Sequence, residues 1–241
     1  MSMLPAPPAD LLEGSALFLD FDGTLVELAE TPDGIAVSST LPGLLRSLSD
    51  RLSGRMAIVS GRAVGNLESH LNCAGIAVSG SHGLELRLAN GTMVPLAAPI
   101  DLAELRDKIA RFASGTAGLI IEEKPASIAL HYRKAPEEAE RVDAFMSLLA
   151  ERSGLTLQRG KMVVELRPRG ADKGDAVRAF MAEPQFGGAR PIFIGDDVTD
   201  EDGMRAANEL GGFGIAVGER ESENARYALA SPAAVHHWLG L

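Results

Sequence analysis

Two clusters of aspartate, each placed just after a short apolar run, constrain this chain more than any other feature. Asp20 and Asp22 follow Ala16–Leu19; Asp196, Asp197, Asp200 and Asp202 follow Ile192–Ile194. Such runs read as buried strands of a parallel sheet. Carboxylates at the carboxyl ends of these strands lie at the rim of an α/β sheet, where ligands bind. Several negative charges crowded at one rim cost free energy unless a cation is held there. An all-oxygen donor set selects a hard ion, with Mg²⁺ the first expectation. The pattern points to a metal-assisted reaction on an anionic substrate.

The rest of the hydrophobic pattern predicts an α/β protein with a Rossmann-like, doubly wound parallel-sheet core and an inserted α+β unit. Leu41, Leu44, Leu45, Leu48 and Leu52 share one helical face, with Ser39 or Thr40 available as N-cap. Met56–Val59 and Ile76–Val78 read as strands joined by a helix carrying Val64, Leu67 and Leu71. Asn90-Gly91 between Leu84–Leu88 and Met93–Leu96 is a hairpin signal. The middle changes character: a helix marked by Leu105, Ile109 and Phe112, strands at Leu119–Glu122 and Ser127–Arg133, a helix marked by Val142, Phe145, Met146 and Leu149, then strands at Leu155–Gln158 and Met162–Leu166. This αββαββ order predicts a small unit with its own antiparallel sheet, residues 104–167, inserted into a core made of 1–103 and 168–241. After Pro168 the alternation returns, with a helix from about Asp172, strand Ile192–Ile194, a helix from about Asp200, strand Phe213–Val217 and a last helix near Val235–Leu239.

A net charge of −10 argues against nucleic acid or an anionic membrane as partner. A phosphorylated substrate would have to be met by a few placed cations and a metal. The single cysteine, Cys73, allows no internal disulfide. The proline-rich start lacks a basic segment and a long apolar stretch, and no later run is long enough to span a bilayer. The expectation is a cytoplasmic, monomeric enzyme acting on a small molecule.

The chemistry is carried by a few positions. Asp20 and Asp22, two apart on an extended strand end, project to the same side. One can bind metal and attack phosphorus while the other protonates the leaving oxygen. Asp-x-Asp-Gly alone is also an ordinary turn; the second acidic cluster removes that reading. In Val59-Ser60-Gly61-Arg62, the Ser60 hydroxyl and backbone N–H groups near Gly61 can cradle a phosphate oxygen. Lys173 falls in the first turn of a helix, against the dipole; it is either a surface lysine or one whose placement a phosphate or aspartate partner explains.

Asp20-Phe-Asp-Gly-Thr, Ser60, Lys173 and Gly195-Asp-Asp-x-x-Asp stand in the order of the four motifs of the haloacid dehalogenase (HAD) superfamily of phosphatases, which the chain resembles. The stretches Gly80-Ser-His82-Gly-Leu-Glu85, Glu122-Glu-Lys124, Ala129-Leu-His131-Tyr-Arg133, Gly160-Lys161-Met-Val-Val-Glu165-Leu-Arg167-Pro168 and Gly195-Asp-Asp-Val-Thr-Asp-Glu201 resemble its trehalose-6-phosphate phosphatase branch. The resemblance implies a Mg²⁺-dependent hydrolysis through an aspartyl-phosphate. Asp20 would be nucleophile, and Asp22 the general acid and then base, its carbonyl also on the metal. Asp196 would be a direct metal ligand, Asp197 and Asp200 would lie near the metal or orient Lys173, and Ser60, Gly61 and Lys173 would bind phosphate. Related phosphatases of sucrose phosphate or mannosyl-3-phosphoglycerate, and sugar phosphomutases, stay open as alternatives.

The insert's position resembles a cap that confers specificity. Period-two alternation sets Lys161, Val163, Glu165 and Arg167 on one strand face and Met162, Val164 and Leu166 on the other; Ala129, His131 and Arg133 oppose Ile128, Leu130 and Tyr132. One face is apolar and packs on the two helices of the insert. The polar face is either solvated or closes over the sugar. By resemblance, Glu122, Lys124 and Glu165 contact the sugar, joined by Lys161 and Arg133.

Overall fold

A computed structural model describes residues 4–29, 34–95, 102–124, 127–160, 162–168 and 172–241. In chain order the elements are β1 (Ser15–Leu19), α1 (Leu41–Arg51), β2 (Met56–Val59), α2 (Val64–Leu71), β3 (Ala77–Gly80), β4 (Glu85–Arg87) and β5 (Met93–Pro95). There follow α3 (Ala103–Ala113), β6 (Ile120–Lys124), β7 (Ser127–His131), α4 (Ala139–Ser153), β8 (Thr156–Gly160) and β9 (Val163–Arg167). The chain closes with α5 (Lys173–Ala182), β10 (Arg190–Gly195), α6 (Asp200–Glu209), β11 (Phe213–Val217), β12 (Ala225–Leu229) and α7 (Pro232–Leu239). Contacts divide the chain into a first unit, 1–96 with 171–241, and a second, 97–170.

In the first unit the strand order among the described residues is β12-β11-β10-β1-β2-β3-β4-β5. Strands from β12 through β3 run parallel, and the β4–β5 hairpin adds antiparallel to that edge. All five residues of β1 are buried, because helices cover both faces. Leu17, Leu19, Ile58, Ile192 and Ile194 point to a layer with α1, α2 and α7. Ala16, Phe18, Ala57, Val59 and Phe193 point to a layer with α5 and α6. Phe18 stacks on Phe180 and Phe186 at 6.1 and 5.8 Å. The doubly wound α/β core is the one the sequence predicts.

Two local readings differ. Thr40 stands at the N-cap of α1, but its side chain caps nothing there and bonds the Ser38 hydroxyl at 2.8 Å. Ala225–Leu229 is an edge strand the sequence does not announce, since Ala-Arg-Tyr-Ala-Leu carries little apolar alternation.

The second unit is a four-stranded antiparallel sheet, β6-β7-β9-β8. Leu105, Ile109, Val142, Met146 and Leu149 of its helices pack on Ile128, Leu130, Val164 and Leu166. Phe112 and Phe145 stack at 4.0 Å. The predicted alternation is cut short at both ends. Met162 sits at φ +64° in the tight link between Gly160 and Val163, which pair directly, so β9 begins only at Val163. Strand β7 ends at His131, which leaves Arg133 on an exposed turn rather than on the strand face.

Among the described residues, no helix is long and apolar enough to cross a membrane.

Candidate active site

The site forms where β1, β2 and β10 end side by side. Asp20 leaves β1 with its N–H on the Ile194 carbonyl at 2.9 Å, and the residue is only 3% exposed. The chain then turns, Gly23 N–H to the Val26 carbonyl at 2.8 Å. Gly23 has φ +82°, and a Cβ there would lie 2.2 Å from Asp196 Oδ2, so both conformation and space demand glycine. That close approach brings the loop after β1 against the loop after β10.

Lys173 is the first residue of α5. Asp172 caps that helix, its side chain accepting from Asp175 N–H at 2.9 Å while the Asp175 carboxylate takes the Asp172 N–H at 3.3 Å. The reciprocal cap offsets a cation in the first turn and fixes where it emerges. Lys173 Nζ donates to Asp20 Oδ1 at 2.7 Å and Asp200 Oδ1 at 2.5 Å, all three groups being buried. Asp200 Oδ2 accepts the Asp197 N–H at 2.8 Å, so both oxygens of Asp200 have partners within the protein. Asp197 itself is exposed.

Asp20, Asp196 and Asp200 can each bring a carboxylate oxygen within 4.8 Å of the others. Asp196 Oδ1 is buried and has no hydrogen-bond partner among the described residues. Burial, opposed by Lys173 and reinforced by Asp200, pushes the Asp20 carboxyl well above its ordinary range. Burial and the neighbouring Asp200 push Asp196 up to about 6. Burial alone would pull the Lys173 ammonium down, but Asp20 and Asp200 together hold it above its ordinary value. One ammonium among three carboxylates, two of them buried and Asp196 partly so, leaves excess negative charge at the rim. The oxygen-only donor set and the unpartnered Asp196 atom fit a hard divalent cation.

Ser60, fully buried, follows β2 with its N–H on the Ser79 carbonyl at 2.9 Å; its Oγ accepts from Arg62 N–H at 3.1 Å, leaving its proton to donate. Gly61 lies under the His82 ring, where a Cβ would come within 2.6 Å. Ser81 and His82, both at positive φ, hold this turn by donating N–H groups to the Arg62 and Ser60 carbonyls at 2.8 and 3.0 Å.

Two arginines went unassigned in the sequence. Arg62 donates Nε and Nη2 to Asp22 Oδ2 and Oδ1, each at 2.7 Å, and Nη1 to Asn66. Arg220, between β11 and β12, donates to the backbone carbonyls of Asp196 and Asp197. Its partner Glu201 is kept ionised below the ordinary range: burial works against this, and hydrogen bonds from Ser222, Asn224 and Arg220 outweigh it. Arg62 adjoins a motif, so its position was a hint. Nothing local marks Arg220.

In the second unit, β pairing lines Glu122, Ala129, Glu165 and Gln158 across one rung of the sheet. Glu122 Oε2 meets His131 Nε2 at 2.7 Å, and the Ser127 hydroxyl donates to Glu165 Oε1 at 2.5 Å. Ala129 between the two glutamates is fully buried. Lys124 is the last residue of β6, paired with Ser127. Lys161 lies outside the described residues, and Arg133 is on the turn after β7.

A family model described as trehalose-phosphatase matches residues 18–233. A probable trehalose-phosphate phosphatase of Sinorhizobium fredii is 44% identical over 209 residues, 86% of this chain and 79% of that protein. The trehalose-6-phosphate phosphatase of Escherichia coli is 37% identical over 234 residues, 93% of this chain and 85% of that one. Among solved structures, the C-terminal domain of the Candida albicans trehalose-6-phosphate phosphatase superposes with a TM-score of 0.75 at 26% identity, covering 98% of this chain and 97% of the other.

Proposed function

The chain belongs to the trehalose-phosphatase family of the HAD superfamily, and on that premise we propose that it hydrolyses trehalose 6-phosphate to trehalose and inorganic phosphate, as a cytoplasmic monomer using Mg²⁺. The observation that carries this reading is the buried Lys173 ammonium between Asp20 and Asp200, beside an Asp196 oxygen without a partner.

Asp20 attacks phosphorus through a carboxylate oxygen, forming an aspartyl-phosphate as the bond to the sugar oxygen breaks. Asp22 gives that oxygen its proton. Water then attacks the phosphoryl group, returns a proton to Asp22 and releases phosphate and the Asp20 carboxylate. Lys173, the Ser60 hydroxyl and the N–H groups around Gly61 hold the equatorial oxygens, which spread the charge of the transition state. Asp20 and Asp196, with the Asp22 carbonyl, would hold Mg²⁺, which when bound neutralises phosphoryl charge. Asp200 orients Lys173, and Asp197 lies beside the metal loop. Glu122, Lys124 and Glu165, with Lys161 and Arg133, contact the sugar; paired donors and acceptors there discriminate among disaccharides.

The test is phosphate release from a panel of sugar phosphates, with and without Mg²⁺. Trehalose 6-phosphate is expected to give the highest kcat/KM and free phosphate in stoichiometry with substrate loss. Preference for sucrose phosphate or mannosyl-3-phosphoglycerate overturns the substrate. An isomerised sugar phosphate in place of free phosphate overturns the hydrolase.

A further inference from the structure

Arg220 grips the main chain of the loop after β10 at two consecutive carbonyls. Its Nε donates to the Asp196 carbonyl at 3.0 Å and its Nη2 to the Asp197 carbonyl at 3.1 Å. The same Nη2 reaches Glu201 Oε1 at 2.7 Å, and Nη1 donates to the Glu221 carbonyl at 2.8 Å. Glu201 is anchored in turn: its Oε2 accepts from the Asn224 N–H at 3.0 Å and the Asn224 side-chain amide at 2.9 Å. The guanidinium therefore ties the β11–β12 segment and the first turn of α6 to the two residues that carry the metal-side carboxylates.

We infer that Arg220 is a positioning residue for the divalent ion: by pinning the Asp196 and Asp197 carbonyls, it orients the Asp196 carboxylate before the ion arrives and so sets Mg²⁺ affinity. The inference rests on the reading of Asp20 and Asp196 as the Mg²⁺ site. The physical ground is preorganisation. A ligand already held in its bound geometry loses less freedom on binding, and outer partners of metal ligands typically govern affinity by about 10–100-fold. Geometry and charge act here with opposite signs. A cation close to the site repels Mg²⁺, so deleting Arg220 would tighten binding if charge were its main contribution. If orientation dominates, deletion weakens binding.

The experiment is calorimetric titration of the full chain with MgCl₂, without substrate, for wild type, Arg220→Gln, Arg220→Lys, Glu201→Gln and the charge-balanced pair Arg220→Gln/Glu201→Gln. Unfolding temperature in EDTA is measured alongside. Arg220→Gln and the double variant are expected to raise the Mg²⁺ Kd about tenfold. Arg220→Lys is expected to behave like the glutamine variant, because a single ammonium cannot span two carbonyls and a carboxylate in the fixed fork of a guanidinium. Glu201→Gln, which keeps the arginine but weakens its anchor, gives a smaller rise. It and Arg220→Lys carry the test should Arg220→Gln fail to fold. Arg220 variants that bind Mg²⁺ within twofold of wild type, or tighter, overturn the inference, as does full rescue by lysine. Wild type that binds no Mg²⁺ overturns the underlying metal site instead; binding by wild type with unaffected variants removes the clamp alone.

Discussion

Asp22 receives both arms of the Arg62 guanidinium, Nε on one carboxylate oxygen and Nη2 on the other, each at 2.7 Å. A fork of this kind fixes the plane of the carboxylate and not only its position. If Asp22 is the proton donor, that plane decides whether its proton meets the leaving oxygen. Arg62→Ala is therefore expected to lower kcat for trehalose 6-phosphate by about 10²-fold. With p-nitrophenyl phosphate, whose leaving group needs no proton, the loss of the phosphoryl-transfer step should be much smaller. Arg62→Lys should recover little. Equal losses in the single-turnover rate of leaving-group release from the two substrates would separate Arg62 from proton transfer to the leaving oxygen.

Lys173 offers a stability test. Replacing it with methionine strands Asp20 and Asp200 in a dry pocket, a change that typically costs about 3–5 kcal/mol. Lys173→Met is expected to lose this in urea unfolding as well as its turnover. Adding Asp20→Asn should restore part of the stability and none of the activity. A double variant no more stable than Lys173→Met would show that the pair is not coupled.

Asp196 predicts a pH dependence. Its folded pKa, pushed up to about 6 first by burial and then by Asp200, lies above its unfolded value. The folded state thus binds more protons between the two, and metal-free stability falls as pH rises from about 4 through 6. Asp196→Asn should flatten this slope. Because the group is partly exposed and screened, the expected gain at pH 7 without metal is on the order of 1 kcal/mol. Added Mg²⁺ should raise the melting temperature of wild type but barely that of the variant. A slope over this interval that is the same in wild type and Asp196→Asn contradicts this account.

Gly23→Ala places a methyl group on Asp196 Oδ2 and forces a left-handed residue. Strain of about 1–2 kcal/mol is expected from the backbone alone. The Asp196 side chain must also move, so Mg²⁺ binding should weaken more than global stability. Calorimetry beside thermal unfolding compares the two, and intact Mg²⁺ affinity would show that the loops give way elsewhere.

On the second unit, Glu165→Ala should raise KM for trehalose 6-phosphate by at least about tenfold, the scale of losing a charged hydrogen bond. A small aryl phosphate should be hardly affected. Parallel changes for both substrates would take Glu165 out of sugar recognition.

The core was readable because its signals are short-range. Ala16–Leu19 and Ile192–Ile194 need only burial on both faces to become neighbouring strands, and the Asp clusters follow by position. Lys173 was readable as an anomaly, a cation at a helix start whose placement a phosphate or an aspartate would explain. Arg62 had a motif beside it as a hint, but neither it nor Arg220 announced its partners, because the carboxylate and carbonyls they hold lie far off in sequence. Alternation failed around Met162 for a different reason: a hairpin residue at positive φ interrupts the pleat, and period two cannot be carried through it. The edge strand β12 was lost to its composition, since a strand paired on one side only can tolerate arginine and alanine.

In β1, Leu19 pairs with Ile194 on one side and Ile58 on the other. Asp20, Asp196 and Ser60 are each one or two residues beyond these partners. The rim's chemistry is thus a readout of strand registry, set by counting along three ladders. A single-residue insertion within β10 would keep every charge and nearly every buried methyl, yet deliver Gly195 where Asp196 belongs and turn the carboxylate to the wrong side of the sheet. Loss of activity without loss of composition is the failure to which this architecture is most exposed.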